Sequence, residues 1–85
     1  MKIKIYTKSY CPYCKRAKTL LDSKGLKYEE IEVSMSPELA KEAQQRSGRR
    51  TVPQVFIDNQ HIGGSDDLAK AAANGSLEKL IFSNI

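Results

Sequence analysis

The sequence contains no tryptophan, two cysteines and a single histidine among 85 residues. Two cysteines are too few for a small secreted scaffold that is held together by several disulfides. A structural zinc site needs four ligands, and the two cysteines with His61 supply three. Both kinds of cross-linked small domain are therefore excluded, and we expect no bound metal. His61 itself is predicted to be a turn or edge-strand residue without a catalytic role.

Long apolar runs are also missing from the sequence. No stretch approaches the roughly 20 apolar residues that a helix needs to span a bilayer. The first six residues, MKIKIY, alternate charged and apolar side chains and lack the continuous apolar stretch of a secretory signal. We therefore expect a protein of the reducing cytoplasm with no membrane partner. Paired cysteines in that compartment serve redox chemistry more often than structure.

The overall composition, 40% hydrophobic and 28% charged, differs from that of disordered or collagen-like chains. It is typical of one small globular domain, because a chain of this length forms a single core. We therefore expect residues 1–85 to be one domain and the protein to be a monomer.

Acidic residues are absent from residues 1–20, which carry six lysines and arginines. A second basic cluster, Arg46, Arg49 and Arg50, precedes Thr51. Such basicity first suggests nucleic acid, but the chain has no basic helix interleaved with aromatic residues and no four-ligand zinc motif. We therefore expect no nucleic-acid partner. Attraction of a small anionic substrate accounts better for the charge, and many of the lysines are solvated surface.

The hydrophobic periodicity predicts the order β-α-β-α-β-β-α followed by a short C-terminal helix. Strands are predicted at residues 2–7, 28–33, 51–57 and 61–63. Helices are predicted from Pro12 to Gly25, from Pro37 with Ser36 as N-cap to Gly48, after Ser65 as N-cap to Gly75, and from Ser76. The β-α-β opening implies a parallel pair with a right-handed crossover, and the hairpin adds antiparallel strands. We therefore expect an α/β fold with a mixed four-stranded sheet flanked by helices.

Cys11-Pro12-Tyr13-Cys14 is the most informative motif of the chain. Two cysteines three positions apart at the start of a helix are close enough to form a disulfide. The unpaired N–H groups and the positive end of the helix dipole at this position favour the thiolate form of Cys11. Cys14 lies one turn further on, on the apolar face, and is expected to be buried and less ionised. We therefore predict that Cys11 attacks and that Cys14 resolves.

Three segments together resemble those of a dithiol glutaredoxin of the short bacterial glutaredoxin 3 type. They are residues 6–14 (YTKSYCPYC), 51–57 (TVPQVFI) and 63–68 (GGSDDL). Their order and spacing match across nearly the whole chain. The resemblance implies the thioredoxin fold in its minimal form, which agrees with the predicted order of elements. It also implies glutathione as a co-substrate and no bound cofactor.

The resemblance further implies a glutathione groove beside the cysteines, lined by Lys8, Tyr13, Arg49, Thr51, Val52, Pro53, Gly64, Ser65, Asp66 and Asp67. Cations at positions 8 and 49 would face the glycine carboxylate of glutathione. The backbone of residue 52 would pair with the glutathione cysteine as a strand does, beside a cis proline. Amides at the start of the third helix would bind the γ-glutamyl carboxylate, and one of the two aspartates would meet its ammonium. Ordinary helix capping accounts for the same short segment, and the two interpretations are compatible.

The function implied is that of a glutathione-dependent thiol–disulfide oxidoreductase. Glutathione mixed disulfides would be reduced through Cys11 alone, and protein disulfides through Cys11 and Cys14 together. The implied partners are glutathionylated or disulfide-containing proteins, with ribonucleotide reductase as one family-level example, and glutathione reductase acts indirectly by recycling glutathione. Two alternatives stay open: a redoxin reduced by thioredoxin reductase, and an iron–sulfur carrier.

Overall fold

A computed structural model describes residues 2–83 of the chain. Along this part the elements are β1 (Ile3–Thr7), α1 (Pro12–Ser23), β2 (Glu29–Glu32), α2 (Pro37–Ser47), β3 (Gln54–Ile57), β4 (Gln60–Gly63), α3 (Ser65–Ala73) and α4 (Ser76–Ser83). The predicted order of strands and helices, including the short C-terminal helix, is confirmed. None of the described helices is both long enough and apolar enough to cross a membrane.

The four strands form one mixed sheet in the order β2-β1-β3-β4. Strand β1 runs parallel to β2 and antiparallel to β3, and β3 runs antiparallel to β4. The carboxyl end of β1 therefore lies beside the amino end of β3, where Tyr6 is paired with Gln54. This arrangement brings the loop that follows β1 and the loop that precedes β3 to the same edge of the sheet.

One face of the sheet is covered by α1, α3 and α4. Alternate residues of the central strands point into this core and meet one apolar stripe from each helix. The buried members are Ile3, Ile5, Ala17, Leu21, Val55, Ile57, Leu68 and Leu77. The buried residues of α1 are Cys14, Ala17 and Leu21, so the predicted position of Cys14 on the apolar face is confirmed. Burial of this apolar stripe fixes α1 against the sheet. The position of the first turn of α1 is thereby fixed as well.

The opposite face of the sheet carries a second, smaller core under α2. It contains Tyr6, Val33, Ala43 and Phe56. Tyr6 is fully buried, and its hydroxyl donates to Glu42 Oε2 (3.2 Å) and accepts from Arg46 Nη1 (3.2 Å). The polar ends of α2 side chains thus satisfy the buried phenol, which lets an aromatic ring fill the face of β1 that Tyr6 shares with Lys4.

The helix ends follow the predicted signals with one exception. Ser36 is the N-cap of α2 and its Oγ accepts from the N–H of Leu39 (3.3 Å), while Gly48 ends the helix at φ +72°. The prediction that Ser65 caps α3 is wrong, because Gly64 is the N-cap and Ser65 is the first helical residue. The carboxylate of Asp67 accepts the N–H of Gly64 instead (3.0 Å), so no hydroxyl is needed there.

Strand β3 begins three residues later than predicted, at Gln54 rather than at Thr51. Pro53 has no N–H and so cannot donate to a strand ladder. The Val52–Pro53 peptide bond is cis, as the resemblance implied. The segment before β3 is consequently a loop that faces the start of α1 instead of an extension of the sheet.

Candidate active site

Cys11 lies immediately before α1 and is its N-cap, with extended backbone angles (φ −95°, ψ 114°) and Pro12 as the first helical residue. Its Sγ accepts a hydrogen bond from the N–H of Cys14 (3.4 Å). The same thiol donates to the carbonyl oxygen of Val52 (3.6 Å). The half-buried sulfur therefore lies at the start of a helix, as the motif predicted, and beside the loop before β3, as the resemblance implied.

Cys14 occupies the opposite environment, with 1% of its surface exposed. Burial, and after it the hydrogen bond with Cys11, raises the pKa of the Cys14 thiol to about 12. Both cysteines are free thiols. The predicted burial of Cys14 is confirmed, and with this raised pKa its thiol stays protonated at neutral pH.

A groove of about 270 Å³ opens next to Val52 and Tyr13. Three parts of the chain form its walls: the first turn of α1, the loop before β3 and the first turn of α3. The lining residues are Tyr13, Arg49, Thr51, Val52, Pro53, Gly64, Ser65, Asp66 and Asp67. These are nine of the ten residues that the resemblance implied, and the fold brings them together although they are far apart in sequence.

Lys8, the tenth residue, does not line this groove. It lines a neighbouring depression of about 310 Å³, whose wall also includes Arg49, Thr51 and Val52. The loop before β3 therefore separates two hollows, one toward α3 and one toward α2. Lys8 follows β1 directly and lies on the α2 side of that loop. The order of residues in the sequence does not show on which side of the loop Lys8 lies.

An ion pair links two of the three walls of the groove, the loop before β3 and the first turn of α3. Arg49 Nη1 lies 2.8 Å from Asp67 Oδ2, which also accepts the N–H of Gly64. The hydrogen bond from Arg49, followed by that from Gly64, lowers the pKa of Asp67. The carboxylate of Asp66, by contrast, is exposed and has no hydrogen bond or ion pair to another group within residues 2–83. The two aspartates, equivalent in sequence, are thus distinguished by their contacts.

Close packing between the end of β4 and the first turn of α3 requires a glycine at position 63. Its φ is +124°, and a Cβ built there would lie 2.4 Å from Asp67 Oδ2 and 2.8 Å from Asp67 Cβ. Only a residue without a side chain allows the first turn of α3 to approach β4 this closely. The glycine therefore sets where the Asp67 carboxylate lies.

Comparison with known proteins decides the family. Residues 3–62 match the family model described as Glutaredoxin. Over 79 residues the chain is 52% identical to glutaredoxin 3 of Escherichia coli K12, a match that covers 93% of this chain and 95% of that protein. This chain belongs to the glutaredoxin family. Glutaredoxins are thiol–disulfide oxidoreductases, and this glutaredoxin is an enzyme of that class.

Solved structures agree with this assignment. The solution structure of glutaredoxin from Brucella melitensis superposes with a TM-score of 0.84 at 50% identity, covering 94% of this chain and 87% of that one. The crystal structure of the buckwheat glutaredoxin–glutathione complex superposes with a TM-score of 0.86 at 34% identity, covering 95% of this chain and 76% of that one. The thioredoxin fold in its minimal glutaredoxin form is thereby confirmed.

This glutaredoxin also has polar groups behind the groove that the motif analysis did not single out. Gln54 is 1% exposed and bonds to both Thr51 and His61. The signal was a polar residue at the start of an otherwise apolar strand, QVFI, which is buried throughout. Within the described residues, no three His, Cys, Asp or Glu side chains cluster in a way that could hold a metal ion.

Proposed function

We propose that this glutaredoxin catalyses glutathione-dependent thiol–disulfide exchange, with Cys11 as the nucleophile and Cys14 as the resolving thiol. The observation that carries the proposal is the position of Cys11 Sγ. It accepts an N–H at the start of α1 and lies 3.6 Å from the carbonyl oxygen of Val52, which lines the groove. A thiolate at this place is stabilised by the helix N-terminus and lies beside a backbone edge that an extended peptide can pair with.

On a glutathione mixed disulfide, the Cys11 thiolate attacks the glutathione sulfur. A bond forms between these two sulfurs, the original disulfide breaks, and the product leaves as a thiolate. A second glutathione thiolate then attacks the glutathione sulfur on Cys11. Glutathione disulfide is released and the Cys11 thiolate is regenerated, so this route needs no second cysteine.

On a protein disulfide, Cys11 first forms a mixed disulfide with one protein sulfur. Cys14 then loses its proton and attacks the Cys11 sulfur, which releases the protein as a dithiol and leaves a disulfide between the two enzyme cysteines. Two glutathiones reduce this disulfide and leave as glutathione disulfide. The raised pKa of Cys14 supports this order, because a protonated thiol does not compete with Cys11 for the first attack.

We propose one direction for the tripeptide in the groove. The N–H groups at the start of α3 suit the γ-glutamyl carboxylate, as helix N-termini bind anions. Asp66 suits the γ-glutamyl ammonium better than Asp67, because Asp67 already accepts from Arg49 and Gly64. Val52 pairs with the central cysteine, and the glycine carboxylate lies toward Arg49, at the wall that the groove shares with the depression lined by Lys8. Tyr13, Thr51, Pro53 and Ser65 complete the walls.

We further propose that residues 1–85 act as one domain and as a monomer in the cytoplasm. The part of the chain beyond the family match supports a single domain, because Leu68 of α3 and Leu77 of α4 are buried in the same core as β1. The proposed protein substrates are glutathionylated and disulfide-containing proteins that can approach the exposed Tyr10 and Tyr13 beside Cys11.

The deciding experiment compares two electron donors and two cysteine variants. Turnover of a glutathionylated peptide should depend on glutathione with glutathione reductase, and should not occur with thioredoxin reductase. Cys11→Ser should abolish reduction of both the peptide and a protein disulfide. Cys14→Ser, the matched control at the other end of the motif, should keep the first activity and lose most of the second. Equal loss of both activities in Cys14→Ser would contradict the assigned roles.

A further inference from the structure

A buried side-chain amide lies directly behind the loop that forms the groove. Gln54, the first residue of β3, is 1% exposed. Its Nε2 donates to the carbonyl oxygen of Thr51 (2.9 Å) and to Thr51 Oγ1 (3.3 Å). A backbone carbonyl can only accept, so the amide nitrogen must face Thr51 and the amide oxygen must face away. The orientation of the Gln54 amide is thereby fixed by chemistry.

The amide oxygen of Gln54 meets His61 of the edge strand β4. Gln54 Oε1 lies 2.7 Å from His61 Nε2. Because an amide oxygen can only accept, His61 must carry a proton on Nε2. The imidazole stacks at a tilt on Phe56, with ring centroids 5.0 Å apart, which holds the ring in the orientation that this hydrogen bond needs. Burial, and after it the charge of Arg49, lowers the pKa of His61, so at neutral pH the ring is neutral with its proton on Nε2.

We infer that His61 is a positioning residue for the groove, acting through Gln54 on Thr51 and so on the wall that Thr51 and Val52 form. The inference rests on the proposed function, since it assigns His61 to the positioning of that same site. It adds a residue that is not among those that line the groove.

The loop needs such support because the sheet does not provide it. Residues 48–53 precede β3 and contribute no pairs to the ladder with β1. Thr51 is exposed, yet its carbonyl and hydroxyl are both held from behind by one amide. Without the His61 donor, Gln54 Oε1 becomes a buried acceptor without its partner, which costs free energy. The amide is then no longer held in this orientation and can turn. Thr51 would lose its two hydrogen bonds as the amide turned.

The test separates positioning from chemistry by comparing KM with kcat for a glutathionylated peptide. His61→Phe keeps an aromatic ring next to Phe56 and removes the donor. It should raise KM about two- to tenfold, the range for one lost hydrogen bond, and leave kcat and the alkylation rate of Cys11 close to those of the parent. His61→Gln restores a donor and should restore KM. Gln60→Ala, at the exposed neighbouring position of β4, is the control and should leave KM unchanged.

A double-mutant cycle tests whether His61 acts through Gln54. Gln54→Leu should raise KM at least as much as His61→Phe, and His61→Phe should have no further effect in the Gln54→Leu background. Additive effects of the two changes would overturn the inference, as would an unchanged KM in His61→Phe.

A spectroscopic measurement on the parent protein makes the inference testable without any variant. The ¹⁵N spectrum of His61 should show a protonated Nε2 and an unprotonated Nδ1 at neutral pH. The opposite tautomer would overturn the inference whatever the activity. Failure of the parent to use glutathione saturably would instead contradict the proposed function, so the two failures are distinguishable.

Discussion

Gly63→Ala is the substitution that tests the construction of the groove most directly. At φ +124° an alanine is strained, and its Cβ would lie 2.4 Å from Asp67 Oδ2 and 2.8 Å from Asp67 Cβ. Rotation of the carboxylate cannot relieve the second contact, so the first turn of α3 has to move. The movement breaks the hydrogen bond from Gly64 and the ion pair with Arg49.

The cost can be worked out from these contacts. Backbone strain at such a φ contributes about 1–3 kcal/mol. The Asp67 side chain is 41% exposed, so solvent replaces part of what is lost, and the ion pair and hydrogen bond together add about 1 kcal/mol. A total of about 2–4 kcal/mol would lower the Tm of a domain of this size by roughly 10–25 °C. Glutathione turnover should also weaken, with a higher KM, because two groove walls are displaced.

Gly25→Ala is the matched control for this experiment. Gly25 also has a positive φ, +69°, but a Cβ there would meet nothing within 4 Å. The substitution should therefore cost only the backbone term, about 1–2 kcal/mol, and should leave KM unchanged. Urea unfolding and steady-state kinetics of both variants provide the comparison. Equal losses of stability, or an unaltered KM in Gly63→Ala, would refute the argument that Gly63 sets the position of Asp67.

Other predictions concern single contacts. Because the pKa of Cys14 is raised to about 12, iodoacetamide at about pH 8 should label one thiol per folded chain, and fragment spectra should place it on Cys11. The hydrogen bond from Thr7 Oγ1 holds the pKa of Glu30 below its ordinary value. The ionised Glu30 therefore stabilises the fold fully at pH values above the ordinary pKa of a glutamate. This stabilisation is lost as the pH falls through the lower pKa that Glu30 has in the folded protein. Glu30→Gln should consequently unfold at lower urea than the parent at about pH 7 but together with it at about pH 2, and a gap of constant size would contradict the assignment. Ser36→Ala should lower the unfolding free energy by about 1 kcal/mol, and an unchanged urea midpoint would show that the α2 cap contributes nothing.

Local chemistry explains which elements could be predicted from the sequence. Pro12 and Pro37 at first helical positions, Ser36 as an N-cap and Gly48 in the left-handed region each satisfy a rule that involves only a few neighbours. The environment of the cysteine pair follows from the same rules, since a helix start and an apolar stripe determine which thiol is open. These features therefore needed no knowledge of the fold.

The remaining features depend on contacts between distant parts of the chain. Alternation in β1 separates two faces but does not say that α2 covers the second, so the burial of Tyr6 could not be predicted. Arg49 and Asp67 are 18 positions apart and meet only after β3 and β4 have paired. The family resemblance implies most of the residues that line the groove. The hydrogen bonds behind the groove, such as the one between Gln54 and His61, become visible only in the three-dimensional structure.

The ion pair between Arg49 and Asp67 has a consequence for how the proposed tripeptide enters. The guanidinium of Arg49 is paired with an internal carboxylate, that of Asp67, at 2.8 Å. A ligand whose carboxylate replaces Asp67 at Arg49 opens this pair, which frees Asp67 to join Asp66 in facing an incoming ammonium. One contact within the protein is then exchanged for contacts to both charged ends of a zwitterion. Added salt weakens both the internal ion pair and the contacts to the ligand that replace it. The affinity for the tripeptide should therefore vary little with ionic strength, despite the basic surface.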